Sequence, residues 1–506
     1  MTGGTIGLHG LSRFTNRMIV VLAAGFLAAG VYVSFWFHFL TVFFILLTVM
    51  NFFYRHVQTR HAVLRNFGIL GQARYVIESV GPELRQYLFA SDTEERPFNR
   101  HERSEVYRKA KGIDSAVSFG SQAAYDSLEI KIRHSLYPTD SAELEPFRLV
   151  LGEERGIAAR YTLTKPVMIS AMSFGALGEP AVRALGRGAG LAGIPMNTGE
   201  GGYPKHHLAE GCDLIFQMGT AKFGIRDTDG RLDEEQLRAL AGQDAVKMVE
   251  IKFSQGAKPG KGGLLPKEKI TREISELRGV PMGRDVISPP FHDECRDVGS
   301  TVRFIRRVQD VTELPVGIKT CVGSFAELRT LFEEMKSRDV YPDYISIDGG
   351  EGGTGAAPKA YIDGFGVPLL PALHGVQRLL RELGIRDRMK LFAAGKLISS
   401  YKWVVAMSLG ADAVYTARGF MLALGCIQTL QCGNNTCPVG ITTHDPILQR
   451  GLVIEDKAAR VANYAQGVVH DFEALLCSVG VRSARELTID NLYIPPASIL
   501  AREALT

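Results

Sequence analysis

Eight short apolar runs, most of them separated by helix-length segments, leave this chain few ways to fold. They are PVMISAMSF (166–174), IPMNTGEG (194–201), DLIFQMGTAKFG (213–224), VKMVEIKFSQG (246–256), LPVGIKTCVG (314–323), YISIDGGEGG (344–353), KLFAAGKL (390–397) and AVYTARGF (413–420). None alternates cleanly between apolar and polar, so each reads as a strand buried on both faces, the pattern of a parallel sheet. Eight such units favour a closed (β/α)8 TIM barrel over a doubly wound open sheet. Polar residues and glycines gather after the strands, at what would be the barrel's catalytic end.

Ahead of these runs the composition changes. No Asp, Glu, Lys or Arg occurs from Met18 to Tyr54. One helix over that stretch would run about 55 Å, against a hydrocarbon core of about 30 Å. Two transmembrane helices, about 18–35 and 38–54, joined near Ser34 to His38, fit better, and Tyr32, Trp36 and Phe37 suit an interfacial turn. A cleaved signal peptide is the alternative. Arg13, Arg17, Arg55, Arg60, Arg65 and Arg74 all precede the first carboxylate, Glu78, so the net charge of +4 leaves about −2 for the rest of the chain. Positive residues beside both outer ends put those ends in the cytoplasm. The expectation is a multi-pass protein of the cell inner membrane with its catalytic domain facing the cytoplasm. Scattered cysteines fit a reducing compartment, and no basic stripe calls for nucleic acid. The domains expected are a membrane anchor (1–56), a helical adaptor (57–150), the barrel (151–450) and a helical carboxyl-terminal extension (451–506).

Several motifs carry chemistry. The spacing Cys426-x5-Cys432-x4-Cys437 offers three thiolates. That count suits a 3Fe-4S cluster, whereas zinc and cubane sites want four ligands and disulfides an even number. Three buried core cysteines would be the bland alternative. IDGGEGGTGAAP lets the backbone pass close to a flat ring or a phosphate; with AAGKL and TARGF at the next strand ends it makes Gly395, Ala417, Arg418 and Gly419 candidates for a phosphate site. Lys252, Gln255, Lys258 and Arg278 would suit a small dicarboxylate, or form a solvated basic loop. Glu200, in NTGEGG, either holds an ammonium-like nitrogen or caps a turn. Lys319 stands alone in an apolar strand and needs a partner, for which the N1/O2 edge of a flavin is suited.

Taken in order, SAMSFGALG, NTGEGG, EIKFSQGAKPGKGG, SPP, GGTGAAP and LGC-x5-C-x4-CPVGITTHDP resemble the FMN-binding synthase domain of the glutamate synthase large subunit, over about residues 150–475. The full length resembles stand-alone, membrane-anchored members of that family. The resemblance implies that Met172, Ser173, Asn197, Gln217, Lys319, Gly352, Gly353 and Thr354, with the phosphate loops, hold FMN, and that Cys426, Cys432 and Cys437 hold a 3Fe-4S cluster. It implies Lys252, Lys258 and Arg278 on 2-oxoglutarate or a similar small 2-oxo acid, with Glu200 near the nitrogen being added. Ammonia would condense with the 2-oxo group, and reduced FMN would deliver hydride to the imine, giving L-glutamate. Three departures stand out. HDECRDVGS follows SPPF where the family has HHDIYSIEDL, with Gly299 in place of a glutamate tied to ammonia delivery; Leu264 replaces a substrate-binding glutamine; and the glutaminase domain is expected to be absent. Ammonia or an ammonia-donating partner must then come from outside, as must an electron donor, whether ferredoxin, a flavoprotein subunit or a membrane carrier. Still open are a related flavin oxidoreductase acting on another 2-oxo acid, an amino acid or methylamine/glutamate, and a non-catalytic membrane electron-transfer subunit.

Overall fold

The computed structural model describes residues 8–113, 116–121 and 129–495, which cluster into two compact units divided after Arg100. In the first, α1 (Leu8–Tyr32) and α2 (Phe37–Phe52) form a hairpin whose turn occupies 33–36, and α2 runs on through a π-helical turn, Phe53–Val57. Phe26 stacks on Phe37 and Phe44 across the hairpin. The segments Phe14–Tyr32 and Phe37–Val57, of 19 and 21 residues, are long and apolar enough to cross a membrane. Two shorter helices follow, α3 (Ala62–Phe67) and α4 (Gln72–Leu84).

In the second unit each of the eight apolar runs contributes one strand: β1 (Val167–Ile169), β2 (Met196–Asn197), β3 (Leu214–Met218), β4 (Val246–Lys252), β5 (Val316–Thr320), β6 (Tyr344–Asp348), β7 (Lys390–Ala394) and β8 (Ala413–Thr416). All neighbours are parallel, in sequence order, and β8 pairs with β1 to close the barrel. The open-sheet alternative is thereby excluded. Burial on both faces is complete along β3, β6 and β8, which is why these runs show no polar alternation.

The bottom of the barrel is a packed core, not a pore. Met168, Ile215, Met248, Tyr344, Phe392 and Tyr415 meet inside it, and an antiparallel hairpin (Leu149–Leu151 with Tyr161–Leu163) plugs the end with Leu149, Leu151 and Leu163. Gly317 makes room for Tyr344: a Cβ there would lie 2.2 Å from the tyrosine ring.

The outer helices include α5 (Glu179–Ala192), α6 (Glu234–Ala241), α7 (Val298–Thr312), α8 (Phe325–Arg338), α9 (Leu369–Glu382), α10 (Ser400–Ser408) and α11 (Arg418–Leu424). A long α12 (Ile454–Val479) packs on α5, α10 and α11. Gly188 of α5 permits the close crossing, because a Cβ would meet Val461 at 2.5 Å. The last eleven residues of the expected carboxyl-terminal extension, 496–506, lie outside the described residues.

Candidate functional site

The candidate residues gather at and just beneath the carboxyl-terminal mouth of the barrel. After β2 the chain turns at Gly199 (φ +64), whose N–H donates to Asn197 Oδ1 at 2.9 Å and whose absent side chain lets the loop lie against the Ser173 amide. That turn aims Glu200 into the mouth, where Lys252, from the last position of β4, donates to its carboxylate. Lys252 also donates to Gln255 Oε1 at 2.7 Å. Gly219 and Gly263 shape the slot, since a Cβ would lie 2.3 Å and 3.0 Å from the Glu200 carboxylate oxygens. Lys258 Nζ reaches across to Ala356 O on the β6 loop (3.0 Å), and Arg278 Nη2 to Phe174 O on the β1 loop (2.9 Å).

The four residues expected to be catalytic therefore converge, and they act on one another. Burial would push the Glu200 carboxyl up, but Lys252, then Lys258 and Arg278, hold it below the usual carboxylate range. Burial, reinforced by Lys252, drops the Lys258 amine to about 8. Burial likewise brings Arg278 down to about 10, with Glu200 opposing.

Beneath this group lies a polar layer. Glu250, fully buried, accepts from Asn197 Nδ2 (2.9 Å) and Gln217 Nε2 (2.7 Å). Its carboxyl is raised by burial, partly offset by Lys319. Lys319 pairs with Asp348 at 3.5 Å, and Asp348 also accepts the Gly256 N–H at 3.1 Å. Burial alone would lower the Lys319 amine; Asp348 and Glu250 raise it instead. Asn197 and Gln217 thus each donate one amide hydrogen to Glu250, inside the barrel. Met172 and Ser173 line the β1 exit, where the Met172 carbonyl lies 3.3 Å from His207 Nε2.

The glycine-rich β6 loop meets the ends of β7 and β8. Arg418 Nη2 donates to Glu351 O at 2.7 Å, and a Cβ on Gly353 would touch Arg418 at 3.0 Å. Gly352 lies over Asp348, and Thr354 Oγ1 donates to Ala356 O at 3.3 Å. Gly395 (φ +150) lies against Leu369 and Glu351; Ala417 opens α11; a Cβ on Gly419 would collide with the Tyr464 hydroxyl at 2.2 Å. At these positions glycine is required by close packing of the loop ends against neighbouring protein atoms.

The cysteine loop follows α11. Gln428, Leu430 and Asn435 all adopt left-handed backbone conformations, curling the chain between the thiols. The three sulfurs sense one another. Burial, then the neighbouring thiols, pushes Cys426 up to about 11, and Cys432 is raised by burial and by Cys437. Cys437 is lowered: burial opposes ionisation, but the polar groups of Thr442, Val439 and Ile441 around the sulfur outweigh it. Among the described residues no set of three or more His, Cys, Asp or Glu side chains is arranged for a metal ion.

Three charged residues of this region escaped the sequence reasoning. Glu250 and Asp348 each interrupt an apolar strand, the signal that picked out Lys319. Lys269 had no signal, because PKEKIT reads as a solvated charge run. In the fold it is 2% exposed, and its Nζ bridges Ala176 O (2.7 Å) and Cys432 O (3.0 Å). Lys269→Met strands both carbonyls, at about 1–3 kcal/mol for each buried group left unsatisfied. The expected outcome is a loss of about 2–6 kcal/mol in denaturant unfolding; a change below about 0.5 kcal/mol, as at ordinary surface positions, would show the bridge to be idle. Of the departures, Gly299 lies in the first turn of α7 beside Glu334, and Leu264 pairs with Ile287 in a short antiparallel two-stranded ladder next to Gly263. Glu294, from the HDECRDVGS segment, lies 3.0 Å from the buried Lys222.

(β/α)8 enzymes place their chemistry at the strand carboxyl ends, and a coupled charge group there makes this a barrel enzyme. Comparison supplies the family. The family model described as the conserved region in glutamate synthase matches residues 104–482, and the chain belongs to that family. The glutamate synthase large subunit-like protein YerD of Bacillus subtilis is 37% identical over 84% of this chain and 88% of its own length. An archaeal-type glutamate synthase (NADPH) of Thermotoga neapolitana is 37% identical over 65% of this chain, and the archaeal enzyme of Methanocaldococcus jannaschii 35% identical over 65%. This chain spans 62% of each of those two proteins. The enzyme is accordingly an oxidoreductase of glutamate synthase type. Among solved structures, the recombinant flavin-binding domain of baker's yeast flavocytochrome b2 aligns over 88% of this chain and 92% of its own, at 13% identity and a TM-score of 0.46.

Proposed function

We propose that the chain reductively aminates 2-oxoglutarate to L-glutamate with externally supplied ammonia, using FMN and a 3Fe-4S cluster, while tethered to the cell inner membrane by its helical hairpin with the barrel in the cytoplasm. The observation that carries this is the Glu200–Lys252 ion pair at the mouth, with Lys258 and Arg278 in the loops around it. Two cationic side chains there match two carboxylates, and an ionised carboxylate matches the hydrogens of an incoming nitrogen.

In this reading Arg278 and Lys258 orient the 2-oxo acid, and Glu200, held ionised by Lys252, accepts N–H hydrogens from ammonia as it adds to the carbonyl. Loss of water from the adduct needs a proton at the departing hydroxyl, and Lys258, softened to about 8, is able to give one near neutral pH. Bound FMN supplies the hydride, and the cluster supplies one-electron relay from a donor such as ferredoxin, a flavoprotein subunit or a membrane carrier. Lys319, Asp348, Gly352, Gly353, Thr354, Gly395, Ala417, Arg418 and Gly419, with Met172 and Ser173, would hold the flavin; Asn197 and Gln217 would support it from the Glu250 layer. Cys426, Cys432 and Cys437 would hold the cluster.

Anaerobic purification with flavin and iron analysis and electron paramagnetic resonance, followed by turnover with 2-oxoglutarate, ammonia and a low-potential donor, tests the reading. Intact cofactors without glutamate formation would overturn it. Leu264, beside the Gly263 that faces Glu200, supports a second reading in which the same site takes another 2-oxo acid or an amino acid; flavin bleaching across a substrate panel separates the two.

The pH dependence follows from Lys258. Its ammonium is present below about 8 and lost above it, so kcat/KM for the 2-oxo acid should fall as pH rises through that value. Lys258→Arg keeps its charge throughout and should move the alkaline limb up by more than about one unit. An unmoved limb assigns it to another group.

A further inference from the structure

The first unit carries an apolar surface that the hairpin does not explain. Along α4 and the π-helical turn that continues it (Arg85–Phe89), Val76, Ile77, Val80, Leu84, Tyr87 and Leu88 are 40–69% exposed, and no residue of α4 is buried. At helical spacing these six fall within about a third of the circumference, with Arg74, Glu78 and Arg85 on the other side and Glu83 at the edge of the stripe beside Val76. A stripe of this size left in water is unusual for a soluble surface.

Its place in the unit indicates what covers it. Gln72 Nε2, in the first turn of α4, donates to the Tyr54 hydroxyl at 2.7 Å; Ile69 N–H donates to Asn51 Oδ1 at 3.0 Å; Arg55 Nη2 reaches Asn66 O at 3.4 Å. Gly68 (φ +59) is required for this, because a Cβ would lie 2.0 Å from Asn51 Oδ1. Asn51 lies about 9 Å before the end of the apolar segment at Val57. The start of α4 is therefore tied to the hairpin inside its apolar end, not beyond it. Arg55, Arg60, Arg65, Arg74 and Arg85 flank this junction, and no carboxylate precedes Glu78, a charge balance complementary to anionic headgroups.

We propose that residues 72–89 form an in-plane helix whose apolar face seats in the headgroup region of an anionic bilayer, so that the hairpin is continued by an interfacial foot. This rests on reading the hairpin as membrane-spanning. Seated this way, the six side chains reach the acyl boundary while Arg74, Glu78 and Arg85 face water.

The test uses the full chain in phosphatidylcholine/phosphatidylglycerol vesicles brominated near the top of the acyl chain, in a Trp36→Phe background; Trp403 is fully buried in the barrel unit and gives a constant signal. Fluorescence of Ile77→Trp and Leu84→Trp should be quenched by the bromolipid about threefold or more over Glu78→Trp, on the opposite face. Equal, weak quenching at all three positions in protein that resists alkaline carbonate extraction overturns the interfacial helix and leaves the hairpin standing. Extraction by carbonate overturns the hairpin itself. Shielding from aqueous iodide that grows with protein concentration, without lipid quenching, assigns the face to a second copy of the chain and overturns the proposal.

Discussion

Replacing Lys252 by methionine is expected to lower kcat/KM for the 2-oxo acid by on the order of 10²–10³. The substitution keeps the length of the side chain and removes the cation that bonds Glu200 and Gln255. Breaking a buried pair costs about 3–5 kcal/mol; Glu200 keeps about a fifth of its side-chain surface exposed, so about 2–4 kcal/mol is expected here. The rate range is that of removing one group that stabilises charge at the reacting centre, at about 1.4 kcal/mol per decade. The double variant Lys252→Met/Glu200→Gln removes both charges. It should recover most of the lost stability and none of the lost turnover, because the ionised carboxylate is gone. Recovery of turnover in the double variant would show that the pair only holds the loop.

The barrel was legible because its strands are buried on both faces: a run such as YISID cannot be satisfied in a two-layer sandwich with one wet face, and eight of them close on themselves. The hairpin turn was legible for a similar reason, since an uncharged stretch too long for one crossing must reverse somewhere, and it reverses at 33–36. What the sequence hid are partnerships between residues far apart in the chain. Lys269 lies 163 positions from the carbonyl of Cys432 that it caps, and nothing local distinguishes it from a solvated lysine. Asn197 and Gln217 each give one amide hydrogen to Glu250, a partner their sequence neighbours do not announce. A buried carboxylate demands donors, and the demand becomes visible only once β2, β3 and β4 are side by side. The amphipathic face of α4 was present in the spacing of Val76, Val80 and Leu84, yet its orientation depends on the Asn51 and Tyr54 contacts that only the fold brings together.

Gly256→Ala is expected to be the most damaging single-methyl change at the mouth. A Cβ at Gly256 would lie 1.7 Å from the Gly349 carbonyl oxygen and 3.2 Å from the Gly352 amide. The atoms it meets are backbone on both sides, so no side chain can swing away and one of the two loops must move bodily. The Gly256 N–H also holds Asp348, and Asp348 in turn raises Lys319, so the displacement passes directly to the residues proposed to hold the flavin. Overpacking costs about 1–3 kcal/mol, occasionally more, and a rigid clash of this depth belongs at or above the top of that range. Thermal unfolding should show at least that loss, and the purified protein should carry flavin at a small fraction of the wild-type ratio by absorbance. Gly355→Ala is the control: it lies in the same β6 loop, its Cβ would meet nothing within 4 Å, and its stability should stay within about 0.5 kcal/mol of wild type. Equal behaviour of the two variants would mean that the β4 and β6 loops do not approach each other as closely as the fold requires, and the flavin site built from them would fall with that contact.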